Sequence, residues 1–212
     1  MIEEAFVPPP VDEARVAALM HEIANRRSVG VARLRPDPVD RQLLERAFEA
    51  ANWAISNADT EPWRFVVFSG DGREVLADAF EKAYRADAEA DRDFDEAKLQ
   101  ANRDRAYHSP VWIAIGMEPG FLPDGTPKVP IEEEHIAVGC AVQNMQLMLC
   151  AQGLIGMWHS KSTSVHPEVA KVLGWEEPKK LLGLFFVGWP KIDWPEGERG
   201  EMGDRVRWVD GA

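Results

Sequence analysis

The stretch EEEHIAVGCAVQNMQLMLCAQG, residues 132–153, decides the fold. Its three glutamates stand where the partial positive charge of a helix N-terminus favours acids, and Gly153 stands where a left-handed C-terminal cap belongs. Between them the apolar residues occupy nearly the whole circumference. This helix is therefore predicted to be buried on all sides, either at the centre of the domain or across a subunit interface. Sequence that could pack against it lies on both flanks. SPVWIAIGM (109–117), LIGMWHS (154–160) and LLGLFFVGWP (181–190) are short apolar runs bounded by turn residues, and each reads as a strand.

Further toward the N-terminus, RFVVFS (64–69) reads as another buried strand, entered through a polar turn, SNADTEP (56–62). The segment PDPVDRQLLERAFEAANWA (36–54) is a helix with Val39, Leu43, Leu44, Ala47, Phe48 and Ala51 on one stripe. After an extended arm at Pro8–Pro10, Asp12 is placed to cap an earlier helix carrying Val16, Leu19, Met20 and Ile23, which ends near NRRSVG (25–30). A turn at DGRE (71–74) leads into a third helix from about Glu74. Residues 81–107 interleave charges of both signs and read as a solvated helical excursion. EPGFLPDGTPKVP (118–130) is a loop, HPEVAKVLGW (166–175) holds a small helix, and the tail after Pro190 reads as an arm lying over another surface. Helices and strands in this irregular order predict an α+β fold, a central mixed sheet flanked by helices, in one main domain.

The chain has 24 basic and 36 acidic residues, a formal net charge of -12, which opposes nucleic acid or an anionic membrane surface as a general partner. Any anion it binds must be held locally. Cys140 and Cys150 lie ten residues apart on one helix, about 15 Å, too far to bridge each other. They read as small buried hydrophobes of a reducing compartment. The five histidines, His21, His108, His135, His159 and His166, form no metal-binding spacing, and no metal site is expected. No nucleophile elbow, P-loop or dinucleotide fingerprint occurs. With an acidic, proline-broken start and no apolar run of membrane length, the expected location is cytoplasmic.

One constellation remains. In NRRSVG, Arg26 and Arg27 offer guanidinium forks and Ser28 a hydroxyl at the end of a helix, a suitable set for a phosphate. Taken in order, NRRSVGVARLRPDPVDRQLLERAFEAANWA, the polar turn with PWRFVVF, KVP, AVGCAVQNMQLMLCAQGLIGMWHS and LLGLFFVGWP resemble the flavin-dependent nitroreductases, in particular their small single-domain branch. The resemblance covers about residues 22–192. It sets off residues 1–21 as an N-terminal arm with the start of the first helix, and 193–212 as an extended C-terminal arm.

The resemblance implies a central mixed, mostly antiparallel sheet in an intertwined homodimer, with two FMN molecules in clefts that both chains line. It implies oxidation of NADH or NADPH and reduction of a small-molecule electron acceptor, nitroaromatic or quinone-like, by a ping-pong hydride scheme. The flavin would carry the chemistry, with no protein acid or base assigned. Carried over residue by residue, Arg26, Arg27 and Ser28 would hold the FMN phosphate and ribityl chain. Asn57 would face the flavin from the partner chain, Trp158, His159 and Ser160 would line it, and Trp53 would add a wall. Arg205 and Arg207 are further candidates for the phosphate, and the charged segment 81–107 is placed over the cleft mouth. Two alternatives stand beside this reading: a flavoenzyme specialised for another metabolite, and a dimer of the same fold that has weakened or lost flavin binding and serves as a binding or structural protein.

One departure from the family pattern matters. Where the family carries amides, as in N-x-Q-P-W, this chain has Asp59-Thr60-Glu61-Pro62-Trp63. An ionised carboxylate only accepts hydrogen bonds, whereas an amide also donates. Glu61 is either ionised beside the ring, or protonated through burial, or turned away with Asp59 to pair with Arg64 or with an arginine of the partner chain.

Overall fold

Four strands lie edge to edge in a computed structural model of the chain, which describes residues 8–209. They are β1 (Trp63–Ser69), β2 (Val111–Met117), β3 (Ile155–His159) and β4 (Lys180–Gly188), in the order β1-β2-β4-β3. Every neighbouring pair is antiparallel, with Trp63 opposite Met117, Met117 opposite Lys180 and His159 opposite Leu184. The parallel element that makes the sheet mixed is a single bridge, Ser28 to Gly156, on the outer edge of β3. β1 starts one residue earlier than its apolar run suggests, because Trp63 already pairs across to Met117.

The helices are α1 (Glu13–Asn25), α2 (Arg41–Asn52), α3 (Arg73–Asp91), α4 (Glu96–Asp104), α5 (Ile131–Ala151) and α6 (Pro167–Val172). Asp12 and Asp40 cap α1 and α2 by accepting from backbone N–H groups of Arg15 and Gln42. α5 and α2 cover one face of the sheet, packing Leu44, Ala47, Val138, Met145 and Leu149 against Ile113, Ile115 and Phe185. α3 covers the other, packing Leu76, Ala77 and Phe80 against Trp112, Ala114 and Phe186. β2 lies between these layers and is buried at all seven positions, which is why its sequence reads as an unbroken apolar run. Truncating Phe185 or Phe80 to Ala would cost about 3–5 kcal/mol.

Two close approaches fix the sheet. β4 carries an extra residue opposite the Ile115–Gly116 step, and Gly183, at φ +140°, turns the bulge. A Cβ there would meet the Trp158 Nε1 at 2.5 Å, so only glycine fits. At Gly156 a Cβ would lie 2.1 Å from the Phe186 carbonyl oxygen.

The long helix is not buried on all sides within one chain, since Ile136 and Gln143 face outward. Nor does the apolar stripe of α1 find a cover: Val16, Leu19, Met20 and Ile23 are all exposed. Trp53 and Ile55, after α2, extend the same uncovered region. The chain exposes 13887 Å², whereas a compact monomer of 23.8 kDa exposes about 9,900 Å². This uncovered apolar face is part of that excess.

The charged segment 81–107 is ordered into the second half of α3, α4 and a short turn at Arg105–Tyr107. Arg103 fastens it by ion pairs to Glu74, Asp78 and Glu81. The start of the C-terminal arm folds back on its own chain. The Arg35 backbone N–H donates to the Trp189 carbonyl at 2.8 Å, that of Lys191 to the Arg33 carbonyl at 3.0 Å, and the Trp194 indole to the Asn25 carbonyl at 2.8 Å. Beyond it Met202, Val206, Trp208 and Val209 are exposed. Residues 1–7 of the predicted N-terminal arm and 210–212 of the C-terminal arm lie outside the described residues.

Candidate functional site

α1 stops at Asn25 because the backbone turns extended at Arg26, φ -60° and ψ 128°. That turn carries Ser28 to the outer edge of β3, where it bridges Gly156. The Ser28 hydroxyl receives Arg26 Nη1 at 3.3 Å and Gln146 Nε2 at 3.2 Å, and Gln146 also reaches the Arg27 carbonyl at 3.3 Å. Arg26 is half-buried and makes no ion pair among the described residues. A guanidinium and a hydroxyl held together without an acid form a donor set suited to a phosphate monoester.

Arg27 behaves differently from its neighbour. Its Nε donates to the Pro195 carbonyl at 2.8 Å, and its Nη1 to the carbonyls of Ala24 at 2.6 Å and Arg26 at 2.8 Å. Gly197 covers the remaining nitrogen so closely that a Cβ would lie 1.9 Å from it. Within one chain the Arg27 fork closes the end of α1 and fastens the C-terminal arm, while that of Arg26 stays clear of the arm. Sequence could not have shown this, because the acceptor is a backbone carbonyl 168 residues away.

From Gly156 the open edge of β3 runs four residues to Ser160, about 13 Å at strand rise. Along it the backbone pairs with β4 on one side only. Side chains alternate across this strand. Trp158 packs half-buried on the α5 side and spends its indole N–H on the Leu182 carbonyl at 3.2 Å. His159 turns to the α3 side, where its Nδ1 meets the Ser164 hydroxyl at 2.8 Å. Burial, then the charges of Arg105 and Lys161, push the His159 pKa below its usual value of 6.5. Ser160 is exposed at the strand end.

Trp53 and the polar turn lie elsewhere. Trp53 is 82% exposed and borders a groove with Leu19, Leu147 and Met148. The turn is bonded to the start of α5: Asn57 Nδ2 donates to Glu133 at 2.7 Å, and the Thr60 hydroxyl to Glu134 at 2.7 Å. Glu134 and Gln146 are twelve residues apart on α5, about 18 Å. One chain therefore brings Arg26, Ser28, Trp158, His159 and Ser160 along one edge and leaves Asn57, Glu61 and Trp53 outside that row.

Neither acid of the turn pairs with Arg64. Arg64 Nε takes Glu118 at 2.7 Å, and its Nη1 takes only backbone carbonyls, that of Glu61 at 2.8 Å and that of Trp63 at 2.8 Å. The pairing of Asp59 and Glu61 with Arg64 is thus corrected; a better-placed acid on the loop after β2 wins the guanidinium. Both carboxylates are exposed. Sequence reading also missed Glu134 and Gln146. Gln146 had a signal, a polar residue within an otherwise apolar helix.

The nitroreductase family profile matches residues 23–189. The chain belongs to the nitroreductase family. Among its nitroreductase relatives, YdjA of Escherichia coli (strain K12) is 30% identical over 171 residues, 80% of this chain and 87% of that protein. NfnB of Mycolicibacterium smegmatis is 28% identical over 202 residues, 84% of this chain and 85% of that one. Two solved structures share the nitroreductase fold. A nitroreductase-like family protein from Bacillus cereus aligns with TM-score 0.73 at 23% identity, covering 98% of this chain and 100% of that one. The FMN-dependent nitroreductase NfnB from Mycobacterium smegmatis, in complex with NADPH, aligns with TM-score 0.65 at 21% identity, covering 92% and 100%. Among the described residues, no helix is long and apolar enough to cross a membrane, and no three His, Cys, Asp or Glu side chains are grouped to hold a metal.

Proposed function

We propose that this chain is an FMN-dependent oxidoreductase that uses NADH or NADPH to reduce nitroaromatic or quinone-like acceptors, working as a homodimer. The observation that carries the reading is Arg26, half-buried without an acid and bonded to Ser28 at the head of the open β3 edge. FMN fits there by chemistry: a terminal phosphate for Arg26 and Ser28, and an elongated body with ring donors and acceptors for the unpaired strand backbone toward Ser160. When bound, FMN supplies hydride acceptance from the nicotinamide and delivery to the second substrate, in two half-reactions of a ping-pong scheme. The chain's own part is to hold the phosphate with Arg26 and Ser28, to fix the edge through the Ser28–Gly156 bridge, and to keep Ser28 oriented through Gln146.

The distance between the β3 edge and the turn at 56–61 supports the dimer. A second copy would bring Asn57 and Glu61 to a cofactor on β3, with Trp53 as an added wall, and its face would cover the exposed residues of α1, α2 and α5. On this reading Glu61 adds an exposed acceptor to the partner's cleft. The domain division into 1–21, 22–192 and 193–212 enters the same proposal, with both arms serving the assembly.

The second reading, a dimer of this fold without tight flavin binding, draws on the acids at 59 and 61 and on Arg27 being held by the C-terminal arm. Flavin retention separates the two. Arg26→Ala should raise the FMN dissociation constant at least about tenfold, the loss of one charge-assisted contact. An unchanged constant would remove the phosphate assignment. Intersecting rather than parallel initial-velocity lines would contradict the ping-pong scheme.

A further inference from the structure

A cationic corner forms where the charged helices return to the sheet. Arg105, at the end of α4, lays its guanidinium over the Phe80 ring at 5.1 Å and donates to the Thr163 hydroxyl at 3.1 Å. Ser164, fully buried and next in the chain, holds the His159 ring at 2.8 Å. Lys161 lies in the same loop, two residues beyond the end of β3. Arg105, His159 and Lys161 thus converge on one short loop beside Ser160.

The acids that flank this corner are engaged elsewhere, Asp104 accepting from Gln100 Nε2 at 2.8 Å and Asp87 meeting His166 Nε2 at 3.2 Å. Neither Arg105 nor Lys161 makes an ion pair among the described residues. Arg103, two residues earlier, holds three carboxylates. Burial pushes the Arg105 guanidinium down from its usual range, and no acid opposes that shift. A half-buried cation whose one side-chain hydrogen-bonding partner among the described residues is a neutral hydroxyl keeps most of its fork free. The planar fork matches a carboxylate in two-point contact.

We propose that Arg105, with Lys161 and the His159 ring, binds the carboxylate of an anionic second substrate at the end of the β3 edge. The preferred acceptors are then aromatic acids of the nitrobenzoate class rather than their neutral analogues. The proposal rests on the flavin reading for its redox step, in which one NADPH and one proton take the nitro group to nitroso with release of water. It also accounts for the charged segment 81–107, whose last residues bring the selecting cation to the site.

The test compares 4-nitrobenzoate with 4-nitrobenzamide as acceptors for the dimeric holoenzyme, in wild type, Arg105→Gln and Arg105→Lys. The ratio of kcat/KM, acid over amide, should fall about tenfold in Arg105→Gln, carried by KM, and recover in part in Arg105→Lys. Titration calorimetry with benzoate should show the same loss of affinity. A ratio that does not move, whether or not both rates fall together, overturns the proposal, and so does benzoate affinity unchanged by Arg105→Gln. If wild type reduces neither compound, the flavin reading fails and the benzoate titration alone decides the subsite.

Discussion

The Thr60 hydroxyl donates to the Glu134 carboxylate at 2.7 Å, and this bond ties the polar turn to the buried start of α5. Glu134 is fully buried and makes no ion pair among the described residues; its other oxygen takes the Gly120 N–H at 2.9 Å. The tie matters because the turn is strained. Ala58, Asp59 and Glu61 have φ of 52°, 50° and 41°, each costing roughly 1 kcal/mol without glycine. Thr60→Val removes a donor from a buried carboxylate and should lower stability by about 2 kcal/mol in urea unfolding. A loss below about 0.5 kcal/mol would mean that the turn holds itself.

Gly156 is the point where β3, β4 and Ser28 meet. Because an added Cβ would strike the Phe186 carbonyl, Gly156→Ala must part β3 from β4, and a loss of about 3 kcal/mol is expected. Gly153→Ala strains only a left-handed helix cap, with Trp189 at 3.7 Å, and should cost about 1 kcal/mol. Equal losses at the two glycines would contradict the close approach.

Arg27 and Gly197 make a separable prediction. Gly197→Val places a side chain in the space of the Arg27 fork and should release the arm from Pro195 onward. Limited proteolysis within residues 195–209 should then quicken, while urea unfolding of the core shifts by less than about 1 kcal/mol. Cleavage at the wild-type rate would show that the clasp does not hold the arm.

Protonation of His159 sets a pH dependence. The folded ring binds its proton less tightly than the unfolded one, through burial and then through Arg105 and Lys161. The unfolded chain therefore takes up more protons as pH drops below 6.5, so stability from this group is complete above 6.5 and is lost as pH falls through the depressed folded value. His159→Gln should flatten that slope. NMR titration should find the ring below 6.5 in wild type and closer to it in Arg105→Gln. A wild-type value at or above 6.5 would contradict the geometry.

The uncovered face predicts self-association. Leu19→Asp with Ile136→Asp places charges on two exposed apolar positions and should convert a species of twice 23.8 kDa to one of 23.8 kDa in sedimentation velocity. A wild-type chain already sedimenting at 23.8 kDa would remove the two-chain cleft.

What could be read from sequence was what depends on local pattern. The apolar circumference of α5, the left-handed Gly153 at φ +80°, the capped starts of α1 and α2 and the apolar runs of the strands are each set by residues close in the chain. What could not be read depends on long-range partners. Glu134 looked like one of three solvated acids at a helix start, and only the return of Thr60 and Gly120 buries it. Arg26 and Arg27 are adjacent and identical in type, yet the arm that closes over one leaves the other open. The positive φ angles at 58, 59 and 61 had no glycine to announce them.

The most direct test of the central claim is the visible absorption spectrum of the purified protein, taken alone, after FMN is added, and after NADH or NADPH is added without oxygen. A flavin spectrum that stays with the protein through gel filtration and bleaches with the nicotinamide is expected. A colourless protein that retains no added FMN would contradict that claim.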